Sequence, residues 1–212
     1  GQDKPLEPLT EIAAIPWLSP SIASRGISVD VTGVVVQTRP GAFFLRGMDS
    51  SRSVFVRCPD CTTAKPSQWS TVRVRGTTMV GGFHADIRAV TVETTGSTKP
   101  LSPAPVSAHD LLGEQSDLGY GEVTGTAVAT ESGWVSKAKL WRSQLKLMVG
   151  SQPVLVSILS DVAVDLASQM DGEVGVRGVI GVLFNSRRQR IGIRMHVQST
   201  SDIQAVAPRH AN

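Results

Sequence analysis

Two cysteines, Cys58 and Cys61, are the residues most readily assigned to covalent chemistry, because they form a Cys-Pro-Asp-Cys motif. A redox dithiol usually lies at a helix N-terminus, and a zinc site usually needs a second pair of ligands. Neither feature is visible around this motif, and Thr62 stands where a haem-attachment motif would have His. With only two cysteines in the chain, the sequence favours a loop disulfide in an oxidising compartment, with redox sensing as the lesser alternative.

The other residues of catalytic type are scattered along the chain. No P-loop, Ser-His-Asp motif or pair of catalytic carboxylates can be assembled from local motifs, and the histidines lack metal-ligand spacing. We therefore expect no enzyme activity, no catalytic residue, no cofactor and no metal site in this region. The histidines are His84, His109, His196 and His210.

Aromatic and cationic side chains are the remaining candidates for ligand binding. Single-stranded nucleic acid requires such a mixture, because bases stack on aromatic rings and phosphates need positive charge. In the second half of the chain the candidate ligand-binding residues are Trp134, Trp141, Arg142, Arg187, Arg190 and Arg194. The corresponding surface in the first half would contain Phe43, Phe44, Arg46, Phe55 and Arg57.

A simpler interpretation of these residues competes with nucleic-acid binding. Aromatic residues make up only 5% of the chain, and a strand phenylalanine such as Phe43 or Phe55 more often belongs to a barrel core than to a stacking platform. A short run of arginines is usually a solvated hairpin, although it could meet an acidic ligand or lipid headgroups. The net charge of +3 permits nucleic-acid binding without arguing for it.

An internal repeat indicates how these residues are positioned. Residues 70–93 and 174–197 both begin with alternating Val and Arg, reach an Arg-Gly pair and pass a segment with one Phe. The glycines of the two pairs, Gly76 and Gly178, are 102 residues apart, so the repeat unit is a small domain. Each copy has five predicted strands, which favours two tandem five-stranded OB-like Greek-key barrels in a mainly β chain with short helices. An immunoglobulin-like sandwich would need about seven strands in each copy.

Hydrophobic periodicity predicts the elements of each copy. Short helices are predicted at residues 10–15 and 108–112, the second capped by Ser107, and an amphipathic helix at residues 161–170. About eight extra residues near 136–142 lengthen the first hairpin of the second copy. The predicted strands are 27–36, 42–46, 54–57, 71–79 and 85–94, then 122–128, 145–149, 153–159, 174–182 and 192–197, with a closing segment at 202–206.

Composition and breaker residues predict a folded chain with two domains. Hydrophobic content is 41% and charged content 18%, which is ordinary for a folded protein, and no run of about 18 apolar residues predicts a membrane span. The start at Gly-Gln is expected of a trimmed chain whose leader, anchor or following domains lie outside this sequence. The predicted boundaries are a lead-in with a short helix at 1–26, a first OB-like barrel at 27–96, a linker with a short helix at 97–120, a second OB-like barrel at 121–207 and a tail at 208–212.

The order of these features resembles a known family. The short helix that contains Ile12, the VxGVV strand, the VRVxG strand followed by GGF and the RGVxGxLFNxR segment are similar to the tandem OB-like extracytoplasmic sensor regions of bacterial membrane sensor proteins, of the sensor histidine kinase and diguanylate cyclase type. The matching residues are Ile12, Val31, Gly33, Val34, Val35, Val72, Arg73, Val74, Gly76, Gly81, Gly82 and Phe83, then Arg177, Gly178, Val179, Gly181, Leu183, Phe184, Asn185 and Arg187.

The resemblance implies a non-catalytic sensor module of a signal-transduction receptor that binds a small molecule or a periplasmic protein. It implies a periplasmic location at the inner membrane, beside a transmembrane segment and a kinase or cyclase domain outside this sequence, and it allows a homodimer. Nucleic acid is not the expected partner on this interpretation. The alternatives are a nucleic-acid-binding tandem OB-fold protein, and a structural spacer or dimerisation module.

Overall fold

The chain is divided into two compact units, Gly1–Ser102 and Pro103–Asn212. The computed structural model describes residues 6–62, 65–170 and 172–206, and β-strands dominate both units. The mainly β fold class is therefore confirmed. The predicted tail at 208–212 lies outside the described residues. Within the described part of the chain, no helix is long and apolar enough to cross a membrane.

The first unit is a closed barrel of five strands. The strands are β1 (Ser28–Arg39), β2 (Ala42–Gly47), β3 (Ser53–Arg57), β4 (Ser70–Val80) and β5 (Ala85–Ser97). They are hydrogen-bonded in the order β1-β2-β3-β5-β4, with β1 returning to pair with β4 and with β3 parallel to β5. This is the strand order of the predicted OB-like barrel.

Alternating side chains on β2 and β3 fill the interior of this barrel. Phe43 and Leu45 lie opposite Val56 and Val54 in the antiparallel register, and all four side chains are fully buried. Burying an apolar side chain of this size contributes about 1.5–3 kcal/mol. Because Phe43 points inward, its neighbour Phe44 points to the outer surface of the barrel.

The lead-in adds apolar side chains to the same core, but with less helix than its apolar spacing predicts. Only a 3₁₀ turn, Ile12–Ala14, forms in the predicted segment, and Ile12 and Ile15 are both buried in the barrel core. A short helix that periodicity did not predict, α1 (Pro20–Ala23), follows the turn. Its N-cap Ser19 accepts a hydrogen bond from the Ile22 amide at 3.4 Å.

Two strand glycines lie where a barrel strand passes very close to the backbone of its neighbour. A Cβ on Gly33 would lie 2.3 Å from the Arg46 carbonyl oxygen, and a Cβ on Gly125 would lie 2.3 Å from the Met148 carbonyl oxygen. At Gly33, β1 is paired with both β4 and β2. Only glycine fits there, because the coiled strand brings a neighbouring backbone into the space of a side chain.

The second unit repeats the barrel and extends it. Its strands are β6 (Ala104–Pro105), β7 (Tyr120–Val135), β8 (Leu140–Val149), β9 (Gln152–Ser160), β10 (Glu173–Phe184), β11 (Arg190–His196) and β12 (Ile203–Ala205). The ring runs β7-β8-β9-β11-β10 and closes through pairing of β10 with β7, again with one parallel pair, β9 and β11. The helix α2 (Ala108–Leu112) forms as predicted, with a capping box between Ser107 and Asp110.

The predicted amphipathic helix at residues 161–170 is wrong. A single 3₁₀ turn, Ala167–Gln169, forms in its place, and Val162, which the helix would bury, is 68% exposed. The backbone of this segment is held by tertiary contact instead, because the Val164 amide donates to the Ser143 hydroxyl at 2.8 Å. Leu166 is still buried in the core, so the apolar spacing indicated burial but not the helix.

Candidate nucleic-acid interface

The candidate interface in each barrel is the outer surface of the second and third strands together with adjoining residues of the first or fifth strand. In the first unit this surface, the first face, consists of Arg39, Phe44, Phe55, Arg57, Asp86 and Arg88. In the second unit the second face consists of Arg142, Gln144, Lys146, Leu155, Ser157 and Arg194. Each set lies on the side of the strands opposite to the buried pairs Phe43–Val56 and Leu145–Val156, as the registers show.

An aromatic pair covered by arginines forms the centre of the first face. Phe44 and Phe55 are directly opposite each other across β2 and β3, with ring centroids 5.0 Å apart. The Arg39 guanidinium lies 5.3 Å from the Phe44 ring and 5.1 Å from the Phe55 ring, and it donates to the Gln37 side chain at 3.2 Å. Phe44 and Arg39 are buried by this stacking, whereas Phe55 is half-buried.

A second arginine and a buried carboxylate border the aromatic pair. The Arg57 guanidinium lies 5.5 Å from the Phe55 ring and forms a 3.1 Å ion pair with Asp86. Burial raises the pKa of the Asp86 carboxyl above its ordinary value, and the nearby Arg57 opposes this effect. Arg88 is exposed and lies beside Arg57 in the parallel register. The first face therefore has three arginines against one carboxylate.

The second face is also basic, but it has no aromatic pair. Arg194 donates to the side-chain Oε1 of Gln144 at 3.5 Å, and the side-chain Nε2 of Gln144 donates to the Glu131 carboxylate at 2.8 Å. Burial, reinforced by the positive charge of Arg142, lowers the pKa of Arg194 to about 10. Burial likewise lowers the pKa of Arg142. These two arginines are therefore close enough to repel each other.

The structure separates the tryptophans from the arginines of the predicted ligand-binding set. Trp134 and Trp141 are opposite each other near the tip of the β7–β8 hairpin, with ring centroids 5.8 Å apart, and Trp134 is 54% exposed. Strand alternation places Trp141 and the adjacent Arg142 on opposite surfaces of the hairpin. The structure thus brings Arg142 together with Arg194, but not with the tryptophan pair.

The other two predicted arginines differ in their contacts: Arg187 lies in the β10–β11 turn, whereas Arg190 is the first residue of β11. The Arg190 guanidinium donates to the carbonyl oxygens of Leu111 and Leu112 at the C-terminal end of α2, a contact that fixes the helix end. Arg187 is exposed, and its backbone amide donates to the Asn185 side chain at 2.9 Å. Arg190 therefore has a structural role that its sequence position did not indicate.

The two cysteines form a disulfide beside the first face. Cys58 directly follows Arg57, and both Cys58 and Cys61 are buried within the core cluster of the first barrel. The Cys58 amide donates to the Gly41 carbonyl at 2.9 Å, which ties the loop to the β1–β2 turn. Among the described residues, no group of three or more His, Cys, Asp or Glu side chains is arranged to hold a metal ion.

A cavity of about 670 Å³ on another side of the first barrel is lined by both acidic and basic groups. Within it, Asp30 accepts hydrogen bonds from Arg73 at 2.8 and 2.6 Å, and Arg75 lies 3.5 Å away. The Arg73 hydrogen bonds hold the pKa of the Asp30 carboxyl below its ordinary value. The lining has three carboxylates, Glu11, Asp30 and Asp49, against one arginine, Arg73, so the cavity is a weaker candidate for a phosphate-bearing partner than either face.

Comparison with known proteins gives structural neighbours only. No protein-family model and no curated protein matches the chain. The chain is similar to a replication protein A heterotrimer bound to ssDNA, at 10% identity and a TM-score of 0.37, over 84% of this chain and 48% of that chain. It is also similar to a murine DNA-binding protein bound with double-stranded DNA, at 9% identity and a TM-score of 0.40, over 86% of this chain and 99% of that chain. The chain thus spans about half the length of the replication protein A chain.

These neighbours contradict the sensor prediction. Both are nucleic-acid complexes, whereas the resemblance to receptor sensor regions implied a ligand-sensing module for which nucleic acid was not the expected partner. The prediction of a sensor module and the exclusion of nucleic acid were therefore wrong. The nucleic-acid alternative rests on the residues of the two faces.

Proposed function

We propose that this chain binds single-stranded nucleic acid through the first face. The observation that supports the proposal is the Phe44–Phe55 pair on the outer surface of β2 and β3, with the guanidiniums of Arg39 and Arg57 over the rings. Two facing aromatic rings on a sheet surface provide a platform for flat ligands. Arginines at the same place provide charge for the phosphates that accompany bases.

Arg39 occupies the position that a stacked base would take. A guanidinium is planar and stacks on aromatic faces, so it covers both rings while no base is bound. A base that displaces it gains stacking worth about 1–3 kcal/mol, and the displaced guanidinium can then contact the adjacent phosphate. Phe55 is the more accessible ring, because it is half-buried whereas Phe44 is buried.

Charge on the first face favours an anionic partner. Arg39, Arg57 and Arg88 outnumber Asp86, which is already paired with Arg57 at 3.1 Å. Binding should therefore weaken with salt, with a logarithmic slope of about −0.7 for each phosphate neutralised on a single strand. Three contacts would give a slope of about −2.

The test is fluorescence anisotropy of a labelled oligothymidylate titrated with the whole chain at low salt. We expect Phe55→Ala to weaken binding by about 5- to 100-fold, the equivalent of one lost stacking contact. Val90→Ala is the matched control, because Val90 is a 77% exposed apolar residue of β5 outside the face. Arg57→Gln should reduce the salt slope, and Arg25→Gln, which removes the same charge elsewhere, should not.

The proposal would be refuted by wild-type protein that fails to bind the oligonucleotide at low salt. It would also be refuted if Phe55→Ala and Val90→Ala bound with the same affinity as the wild type, because binding would then be independent of the first face. Circular dichroism of each variant establishes that the barrel is folded before the affinities are compared.

A further inference from the structure

The second face contains two arginines that flank one buried serine. On β9, Ser157 lies between Leu155 and Leu159; Arg194 of β11 is the partner of Leu155, and Arg142 of β8 is the partner of Leu159. The two arginines thus lie diagonally on either side of Ser157. Neighbouring strands are about 4.8 Å apart, so the long arginine side chains can converge above the serine.

This arrangement is electrostatically unfavourable without an anion. Among the described residues, no carboxylate lies within salt-bridge distance of Arg142 or Arg194, and Glu131, the nearby acid, contacts Gln144 instead. Both guanidiniums are partly buried, and the burial lowers the pKa of each; the positive charge of Arg142 lowers the pKa of Arg194 further. Like charges that lose solvent without an opposite charge destabilise a fold.

Three polar atoms of this face have no hydrogen-bond partner within the described chain. They are Nε of Arg142, Nε of Arg194 and the hydroxyl oxygen of Ser157, and the Ser157 residue is only 2% exposed. Buried donors are almost always satisfied in folded proteins. All three atoms can donate a hydrogen bond, so one acceptor with several oxygens would satisfy them together.

Comparison with the first face indicates that the barrel itself does not need these residues. The core pairs Val56–Ile87 and Val156–Met195 occupy the same place in the two barrels. In the first barrel the adjacent outer positions hold Arg57 and Asp86, which form an ion pair. The corresponding positions of the second barrel hold Ser157 and Arg194. A neutralised pair has thus been replaced by a basic residue and a hydroxyl.

From these observations we infer that the second face binds a phosphate-type oxyanion, held by the guanidiniums of Arg142 and Arg194 above the Ser157 hydroxyl. Guanidinium groups match the oxygens of phosphate in pairs, and the oxyanion supplies the missing negative charge. The inference does not depend on the proposed function, because a free phosphate would meet the same three donors as a phosphodiester of a bound strand.

The test is a titration of the whole ¹⁵N-labelled chain with inorganic phosphate at constant ionic strength, followed by NMR of the arginine Nε–H groups. We expect the Arg142 and Arg194 signals, assigned from the variants that lack them, to shift together with one dissociation constant. Arg194→Met and Ser157→Ala should weaken phosphate binding, the first by about 10- to 100-fold. Arg187→Met is the matched control, because it removes an equal charge from an exposed turn.

Two outcomes would overturn the inference. One is that phosphate shifts neither Nε–H signal, and the other is that Arg194→Met binds phosphate as tightly as Arg187→Met. Arg194→Lys keeps the positive charge but loses the paired N–H donors of the guanidinium, so it separates the contribution of charge from that of hydrogen-bond geometry. This variant should bind phosphate more weakly than the wild type. The unfolding transition of each variant verifies that the second barrel is intact.

A competition experiment identifies the source of the phosphate group. If phosphate displaces the labelled oligothymidylate and Arg194→Met weakens its binding, the site holds a phosphodiester of the strand. If phosphate binds while oligonucleotide affinity is unchanged in Arg194→Met, the site holds a free phosphate or a phosphomonoester. Either result supports the oxyanion site. Failure of the proposed function appears separately, as an oligonucleotide affinity that Phe55→Ala does not alter.

Discussion

Replacing Arg194 by methionine should make the second barrel more stable. The Arg194 guanidinium is partly buried, lies near Arg142 and has no carboxylate partner among the described residues. Methionine has a similar length and an unbranched apolar stem, so it can occupy the same space between strands. Replacing a buried charge by a well-packed apolar side chain is often neutral or stabilising.

The lowered pKa of Arg194 gives the magnitude of this effect. A fall of the Arg194 pKa from the ordinary arginine value to about 10 corresponds to about 3 kcal/mol of unfavourable charging in the folded state. Solvent still reaches part of the side chain and screens the charge, so we expect about 1–2 kcal/mol. A base whose pKa is lowered by folding destabilises the folded state at every pH below that pKa, and the cost disappears only as pH rises above about 10 towards the ordinary arginine pKa. The full effect is therefore present at neutral pH.

The assay is urea unfolding of the whole chain in a Trp17→Phe, Trp69→Phe background, in which fluorescence reports only Trp134 and Trp141 of the second barrel. Arg194→Met should raise the free energy of unfolding by about 1–2 kcal/mol, whereas the exposed control Arg187→Met should change it by less than about 0.5 kcal/mol. A lower or unchanged stability of Arg194→Met would refute the reasoning. It would mean that the contact with Gln144 and the packing of the stem outweigh the cost of burying the charge.

Two further predictions concern the first barrel, and both can be read from urea unfolding followed by Trp17 and Trp69 in a Trp134→Phe, Trp141→Phe background. Gly33→Ala should lower the free energy of unfolding by about 1–3 kcal/mol, because the added Cβ would lie 2.3 Å from the Arg46 carbonyl oxygen. Gly96→Ala is the control, because its Cβ would meet nothing within 4 Å. Equal effects of the two changes would show that crowding at Gly33 does not determine the stability. Burial raises the pKa of Asp86 above 3.8, so the folded state holds this proton more tightly than the unfolded state. The stability that results is complete below pH 3.8 and is lost as pH rises through the raised pKa. Wild type should therefore lose stability relative to Asp86→Asn as pH increases over that window, and a difference that does not vary with pH would show that Arg57 fully compensates the burial.

The barrels were predictable because their strands follow simple alternation. Phe43 and Leu45 on β2 and Val54 and Val56 on β3 have a period of two, and this period is sufficient to define one inner surface. The in-strand Gly33 was a second signal, since a glycine there matches a coiled strand whose neighbour approaches closely. Local periodicity and backbone sterics are the properties that a sequence displays directly.

The centre of the first face was only partly predictable, because Arg39 was missed. Periodicity ended the first strand at Val36, whereas β1 continues to Arg39 past a bulge between Val35 and Gln37. The bulge shifts the alternation by one residue and places Arg39 on the same surface as Phe44. The Pro40-Gly41 turn was the sequence feature that indicates the longer strand. A two-residue hairpin at this turn pairs Arg39 with Ala42, as the structure shows.

The contrast between the two faces required the strand registers, because the repeat does not have one constant offset. Leu45 and Leu147 are equivalent at 102 residues, Val56 and Val156 at 100, and Ile87 and Met195 at 108. A single offset therefore misaligns the fifth strand and hides the replacement of Asp86 by Arg194. Both barrels close in the same strand order, so closure of the barrel requires neither Asp86 nor Arg194 at this position. If the oxyanion binds as inferred, the second barrel keeps an arginine without a carboxylate partner because phosphate binding, rather than stability, requires it. Arg194→Met should therefore gain stability and lose phosphate affinity in the same molecule.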